Sequence, residues 1–237
     1  MKPIEFQCQV KSFKMLTPTV FQTSFTTHQA LSFKAGQFMS IVIPGAGPKG
    51  RDLRRAYSIA SPPESPEVEL CIKIVEEGPG TSFLKSLRSG DTFRAFAPYG
   101  DFVFEPKPNR NVCFIATGTG LAPFRAMALS QEFHAQLPPQ SFCLLGVRTE
   151  DELIYQTTFE NIPGMKFIPA VSRPQGDWKG LRGRVTDYLR SLKNSEFPWK
   201  ETEFYLCGNG GMITEVKSVL TEKGVSSESI HQEIYYK

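Results

Sequence analysis

The 237-residue chain has no apolar run approaching the ~20 residues that a membrane-spanning helix needs. Its first residues, Met1-Lys2-Pro3-Ile4-Glu5, carry no apolar stretch of the kind a secretory signal uses. The expectation is therefore a cytoplasmic protein without a membrane span. Cysteines are few and scattered, at positions 8, 71, 113, 143 and 207, in odd number and among apolar neighbours. A disulfide framework is not expected from them. No C-x-x-C pair occurs, so neither a structural zinc site nor an iron–sulfur cluster is expected. The histidines, His28, His134 and His231, stand apart from one another. They read as surface or packing residues, and no metal site is expected. A net charge of +3 without a basic run argues against nucleic acid as a partner. Internal repeats and low-complexity tracts are also missing.

What remains is ordinary globular composition, 40% apolar and 22% charged, written in two rhythms. Up to about residue 104, short apolar runs are broken by Gly and Pro, as at 38–44, 68–75 and 92–97. That spacing predicts an antiparallel β-barrel or sandwich. Two prolines in Glu105-Pro106-Lys107-Pro108-Asn109 exclude helix and central strand and mark a linker. Beyond it, strands are expected at 111–116, 141–147, 166–171, 204–207 and 230–236. Helices are expected at 123–133, near 151–159, at 185–192 and at 212–223. Apolar strands alternating with amphipathic helices predict an α/β doubly wound parallel sheet.

Three segments carry chemistry. After the strand at 111–116 comes Thr117-Gly118-Thr119-Gly120-Leu121-Ala122-Pro123. Its glycines permit tight turning and close ligand approach, and Pro123 suits a helix start. Such a turn presents free N–H groups to an anion. A plain strand-to-helix turn is the alternative, since Pro123 stands where a third glycine would complete G-x-G-x-x-G. In Arg54-Arg55-Ala56-Tyr57-Ser58, a phosphate-pairing guanidinium, a flat ring and a small donor are expected to share one strand face. The alternative is the exposed face of an edge strand. Gly78-Pro79-Gly80-Thr81-Ser82, before a helix-like stretch at 83–87, combines glycines and hydroxyls as an anion nest. The alternative is an N-cap turn alone.

Together these motifs resemble the ferredoxin–NADP reductase superfamily, and the resemblance runs over essentially the whole chain. It implies a flavin-binding antiparallel β-barrel domain over residues 1–106 and an NAD(P)-binding α/β domain over residues 109–237. It implies Arg55 at the flavin phosphate, Tyr57 at the ring, Ser58 near flavin N5, and Gly80, Thr81 and Ser82 at the pyrophosphate of FAD. Cys71, Ile72 and Lys73 match the strand whose backbone lines the flavin. Pro98-Tyr99-Gly100-Asp101-Phe102 matches the corner that ends the barrel. For the nicotinamide dinucleotide it implies Thr117, Gly118, Thr119, Gly120 and Pro123, with Cys207 and Gly208 beside the nicotinamide. Ser172, Arg173, Arg182 and Arg184 match the region that holds a 2′-phosphate. They point to NADP(H), with NAD(H) open because related NADH users carry a similar stretch.

Near the C-terminus, Glu233 reads as a proton-relay group, a semiquinone-tuning group or a strand-edge charge. Tyr235 aligns with a ring that stacks on the flavin in relatives, but two residues follow it, so Tyr235 and Tyr236 share that expectation. Ser58, Cys207 and Glu233 are the expected catalytic residues. The resemblance implies hydride transfer from NAD(P)H to bound FAD, and then electron delivery. The acceptor is expected to be an acidic carrier, ferredoxin or flavodoxin, steered by Lys49, Arg51, Arg54 and Arg55. The alternatives are the reductase component of an oxygenase, an NAD(P)H:flavin reductase, and a non-enzymatic electron-channel subunit.

Overall fold

Alternation writes the first half. In β1 (Ile4–Thr17), Phe6, Cys8 and Val10 are buried while Gln7 and Gln9 are exposed, the period of two that gives a strand one wet and one dry face. The computed structural model describes residues 2–236, Tyr236 by its backbone alone. Next come β2 (Val20–Thr27), β3 (Phe38–Ile43), β4 (Leu53–Ser58), β5 (Val68–Lys73), α1 (Pro79–Ser86) and β6 (Thr92–Tyr99). The strands form one antiparallel sheet in the order β4-β3-β6-β1-β2-β5. Its two edges meet beyond the end of β4. Ile59 bridges Leu70, and the Ala60 N–H donates to the Glu69 carbonyl at 2.8 Å. This short seam closes the sheet around a core of Phe6, Phe21, Phe25, Met39, Ile41 and Phe93.

In the second half the strands are apolar on both faces. β7 (Asn111–Thr117) is buried from Asn111 to Ala116, as a strand covered by helices on either side must be. It is followed by α2 (Ala122–Leu129), α3 (Gln131–Ala135), β8 (Ser141–Val147), α4 (Gln156–Glu160), β9 (Met165–Val171), β10 (Leu181–Arg182), α5 (Val185–Ser191), β11 (Thr202–Asn209), α6 (Gly210–Glu222) and β12 (Ile230–Tyr236). The parallel sheet runs β10-β9-β8-β7-β11-β12. The order reverses between β7 and β11, so a crevice opens at the carboxyl ends of those two strands. No helix among the described residues is long and apolar enough to cross a membrane.

Three helix expectations change. The helix expected at 123–133 is two helices, because Ser130 is extended and its Oγ accepts the Phe133 N–H to start a new turn. The helix expected near 151–159 shrinks to α4, because Leu153 is extended and Tyr155 is left-handed at φ 55°. The helix expected at 83–87 begins earlier, at Pro79, which suits a first turn.

The two halves are joined by aromatic packing and one buried carboxylate. Phe102 and Phe104, leaving the barrel, pack on Phe114, Phe124 and Tyr205 of the parallel half. Glu203, on β11 and only 2% exposed, accepts from Lys107 Nζ at 2.8 Å, Arg110 Nε at 3.0 Å and Ser229 Oγ at 3.1 Å. His231 Nε2 lies 3.0 Å from Oε2, the oxygen that Lys107 also reaches. Burial alone would raise the Glu203 pKa, but Lys107, His231 and Arg110 together hold it below the ordinary carboxylate value. The 105–110 linker is thereby tied to the parallel sheet.

Candidate functional site

Two cavities lie side by side where the halves meet. The first, about 600 Å³, is walled by Arg55, Tyr57 and Ser58 of β4, Cys71 to Lys73 of β5, Gly80 and Thr81 of α1, Thr119, and Glu233 to Tyr235 of β12. The second, about 790 Å³, is walled by Thr117, Gly118, Arg148, Ser172, Arg173, Arg184, Asn209 and Met212, among others. Lys73 and Val75 border both. The Thr117–Leu121 turn faces one cavity through Thr119 and the other through Thr117 and Gly118. A flat ring in the first cavity and a dinucleotide in the second would therefore approach each other along the end of β5.

The first cavity is shaped by a close approach of α1 to β4. A Cβ on Gly80 would lie 2.5 Å from the Tyr57 hydroxyl and 3.1 Å from Arg55 Cγ. Only glycine lets the first turn of α1, with its unpaired N–H groups, sit against that strand. Arg55 is exposed at the rim, and its Nη1 donates to the Arg54 carbonyl. The Tyr57 hydroxyl is pushed up to about 12 by burial, against the opposing pull of Arg55, so it stays neutral. The Thr81 hydroxyl is spent internally, 3.0 Å from the Val75 carbonyl and 3.1 Å from that of Gly78. Its role is to hold the 75–81 loop closed.

The sequence reading put Arg55, Tyr57 and Ser58 on one strand face. Alternation in fact pairs Arg55 with Tyr57 and turns Ser58 the other way. Ser58 still reaches the cavity because β4 ends there. Its hydroxyl donates to Glu233 Oε2 at 3.2 Å. Burial pushes the Glu233 carboxyl up to about 7, and the Ser58 hydrogen bond opposes this. Tyr235 lies beside them with its hydroxyl buried and without a hydrogen-bond partner. Cys207 is fully buried next to Tyr235 and Glu233 and is not part of either cavity wall. Burial holds its thiol well above the ordinary value, so it is neutral. The Tyr236 side chain lies outside the described residues.

In the second cavity, Gly118 has φ 52°, and a Cβ there would meet nothing within 4 Å. The backbone is bent at a point left open for a ligand. Gly120 and Gly208 serve packing behind it. A Cβ on Gly120 would lie 2.4 Å from the Cys207 carbonyl oxygen, and one on Gly208, at φ 132°, 2.3 Å from Thr117 Oγ1. Thr117 Oγ1 accepts the Asn209 N–H at 3.0 Å, which ties the ends of β7 and β11 together. Pro123 is buried inside the start of α2.

Arg184 faces Glu215 at 3.7 Å. Arg173 also lines this cavity, and with it Arg148, which the sequence reading missed. Among the described residues neither Arg148 nor Arg173 has an ion-pair partner. Arg148 follows β8 directly, a strand end whose signal was available in the α/β rhythm. Besides Gly120, Pro123, Cys207 and Gly208, which sit behind the walls, Ser82 and Arg182 fall away from the cavities. Ser82 is exposed on the far side of α1, because helical geometry turns it from Gly80 and Thr81. Arg182 is exposed and donates to the Trp178 carbonyl.

The buried ring hydroxyl, the glycine-lined cradle and the open bend at Gly118 fit a flavin in the first cavity and a dinucleotide in the second. Comparison with known proteins agrees. Residues 7–104 match the family model described as oxidoreductase FAD-binding domain, and residues 114–218 that described as oxidoreductase NAD-binding domain. The chain is 31% identical over 242 residues to ferredoxin–NADP reductase B of Sorangium cellulosum, with 97% of each chain covered. It is 29% identical to the reductase component of phenol 2-monooxygenase from Pseudomonas sp., covering 99% of this chain and 67% of that one. Among solved structures, the cytochrome P450 reductase GcoB of Amycolatopsis matches with a TM-score of 0.87 and 25% identity, covering 99% of this chain and 71% of that one. A ferredoxin NADP+ reductase from Neisseria gonorrhoeae, solved with bound FAD and NADP, has the same fold, with a TM-score of 0.84 and 22% identity over 99% of each chain.

Proposed function

The chain belongs to the ferredoxin–NADP reductase superfamily, and from that premise we propose that it draws electrons from NADPH and delivers them to ferredoxin or flavodoxin. It is an NAD(P)H-dependent FAD oxidoreductase. We assign the flavin to residues 1–106 and the nucleotide to residues 109–237. The observation that carries the reading is the pair of cavities joined along Lys73 and Val75, one rimmed by Arg55, Tyr57 and Gly80, the other by unpaired guanidiniums.

FAD, once bound, would supply the redox chemistry, two-electron exchange with a nicotinamide and electron delivery to an acceptor. The chain's residues do the rest. Arg55 would pair with a phosphate at the cavity rim, and the first-turn N–H groups at Gly80 and Thr81 would receive the pyrophosphate. Tyr57 presents its ring, and the backbone of Cys71 to Lys73 lines the cavity floor. Thr117, Gly118 and Thr119 cradle the dinucleotide at the switch point. Ser58 and Glu233 form a hydroxyl–carboxyl pair able to move a proton between the cavity and solvent. With a pKa near 7, Glu233 is suited to give or take a proton at working pH. Tyr235 and Cys207 form the neutral wall behind them and exclude water.

Arg148 and Arg173 favour NADPH, because two unpaired guanidiniums suit a phosphate dianion. Lys49 and Arg51 are exposed in the loop that leads into β4, the strand that carries Arg55 and Tyr57, and would steer an acidic carrier. Arg54 contributes charge from a fixed pose, stacked on Phe96 and donating to the Tyr99 hydroxyl. NADPH and such carriers point to the cytoplasm. A second reading, reductase component of an oxygenase, draws on the phenol 2-monooxygenase relative.

The test is stopped-flow reduction of the purified yellow protein by NADPH and by NADH, followed by reoxidation with ferredoxin, flavodoxin and an oxygenase component. Faster reduction by NADPH and turnover with a small carrier are expected. A colourless protein that takes up no flavin would sink the reading. Reoxidation by the oxygenase component alone would favour the second.

A further inference from the structure

Behind the flavin cavity, a ring of four side chains crosses between the two halves. Arg125 of α2, about one turn past the nucleotide turn, donates through Nη1 to the Ala60 carbonyl at 2.8 Å and to Glu69 Oε2. Gln22 Nε2 donates to the other oxygen of Glu69 at 2.7 Å. The Tyr155 hydroxyl donates to Gln22 Oε1 at 2.8 Å. The Arg125 guanidinium lies 4.8 Å over the Tyr155 ring, which closes the circuit. The Arg125 and Glu69 side chains are 14% and 21% exposed, so water screens the pair little.

The position matters more than the pairing. Ala60 and Glu69 are the residues whose backbone bond closes the barrel seam. Two residues before Ala60 is Ser58, and two after Glu69 is Cys71, both in the flavin cavity wall. At the other end, Arg125 belongs to the helix that begins at the Gly118–Leu121 turn. One side chain thus grips both edges of the flavin-lining seam from the element that starts the nucleotide site. Its Nε is buried without a partner, and Tyr155 holds a left-handed backbone at φ 55° to present its ring. Both are local costs that packing alone would not select.

We propose that Arg125 is a positioning residue that fixes the nucleotide turn against the flavin-lining seam and so sets the distance for hydride transfer. The inference rests on the proposed function only for the transfer step; the mechanical coupling stands apart from it. Arg125→Met keeps the length and removes the fork. Glu69→Gln and Tyr155→Phe weaken the ring at other points without opening a cavity. Arg125→Lys keeps the charge.

The experiment has two arms. In the flavin-loaded protein, stopped-flow measures hydride transfer at saturating NADPH and the nucleotide Kd. A displacement of the order of 1 Å predicts a fall of about tenfold to a hundredfold in the transfer rate for Arg125→Met, with Kd changed by less than about twofold. The charge-transfer absorbance of the nucleotide–flavin complex weakens in parallel, and Arg125→Lys recovers part of both. In the flavin-free protein, amide exchange at Ala60 accelerates about tenfold in Arg125→Met, Glu69→Gln and Tyr155→Phe, while Ile115 in the parallel sheet is unchanged. Should Arg125→Met fail to fold, the other two variants still decide. Unchanged Ala60 exchange, or transfer within about twofold of the parent protein at intact folding, overturns the proposal. A parent protein that binds no flavin overturns the functional reading instead, and the exchange arm still judges the coupling.

Discussion

The Ser58 hydroxyl donates to the Glu233 carboxylate at 3.2 Å, joining the end of a barrel strand to the last strand of the parallel sheet. Neither half contains this pair alone. The site is made by docking, and the Phe102 and Phe104 packing together with the Glu203 clamp holds it in register. The one carboxyl that the described residues bring to the flavin cavity wall therefore depends for its environment on the interface.

That environment gives the first prediction. Burial pushes Glu233 from an ordinary 4.5 up to about 7. Electron output that uses this proton should vary with pH around about 7, and Glu233→Gln should flatten the profile and slow turnover by about tenfold to a hundredfold. The linkage has a definite sign. The folded state holds the proton more tightly than the unfolded chain, so this group's stabilising contribution is complete below about 4.5 and is lost as pH rises through about 7. Glu233→Gln is expected to be more stable than the parent above about pH 8, by on the order of 3 kcal/mol, and no more stable near pH 4. Urea titrations at both pH values measure the difference. Equal stability offsets at the two would refute it.

Gly80 supplies the second. The Cβ of Gly80→Ala would lie 2.5 Å from the Tyr57 hydroxyl, so either α1 or Tyr57 must move. Flavin affinity should fall about tenfold or more, because the ring wall and the helix amides move together. Fluorescence titration of the flavin-free protein reads this. Gly118→Ala meets no atoms but pays for φ 52°, and is expected to lower stability by about 1 kcal/mol while leaving flavin affinity unchanged.

Much of this was legible in the amino-acid order, and what was not has a common cause. The apolar run at 111–116 announced a two-sided strand, and the glycines at 118 and 120 announced the turn after it. These are local signals, set by sterics within a few residues. The phase of Ser58 was misread because a residue's face depends on where its strand stops, which the partner strand decides. Ser82 and Arg182 were misplaced because motif spacing does not say which side of a helix turn or strand end meets the ligand. Arg125 and Glu203 gave no signal of their roles. Glu69 lies 56 positions from Arg125, and Arg110 lies 93 positions from Glu203. The first pair exists only after the halves have docked, and the second only after β11 has returned beside the start of β7.

The arginines of the second cavity yield the third prediction. Arg148 and Arg173 carry no ion pair among the described residues and face the same space. Removing one charged hydrogen-bonding group costs about 1.5–3 kcal/mol of binding, about tenfold to a hundredfold in affinity. Arg173→Ala and Arg148→Ala should each raise the KM for NADPH by that factor and leave kcat and the KM for NADH within about twofold. Arg184→Ala should do less, since Glu215 already faces that side chain. Equal effects on both nucleotides would show that these side chains do not read the 2′-phosphate.

The Glu203 clamp gives the last. Its carboxylate is 3% exposed, and the basic side chains around it are Arg110 at 26%, His231 at 29% and Lys107 at 43%. Lys107 does most to hold the carboxylate charged, with His231 and Arg110 behind it, and the exposure of Lys107 lets water screen part of its share. Glu203→Gln keeps the volume and leaves a cation without its counter-charge, which costs about 2–4 kcal/mol after that discount. The sign with pH is opposite to that of Glu233. The folded pKa lies below the ordinary 4.5, so the contribution is fully present above that value and lost as pH falls through the folded pKa. The stability gap between parent and variant should be full at pH 7 and shrink steadily under acid. Because Glu203 touches neither cavity, flavin affinity at low temperature should be unchanged. A gap independent of pH would mean that shape, not charge, ties the linker to the sheet.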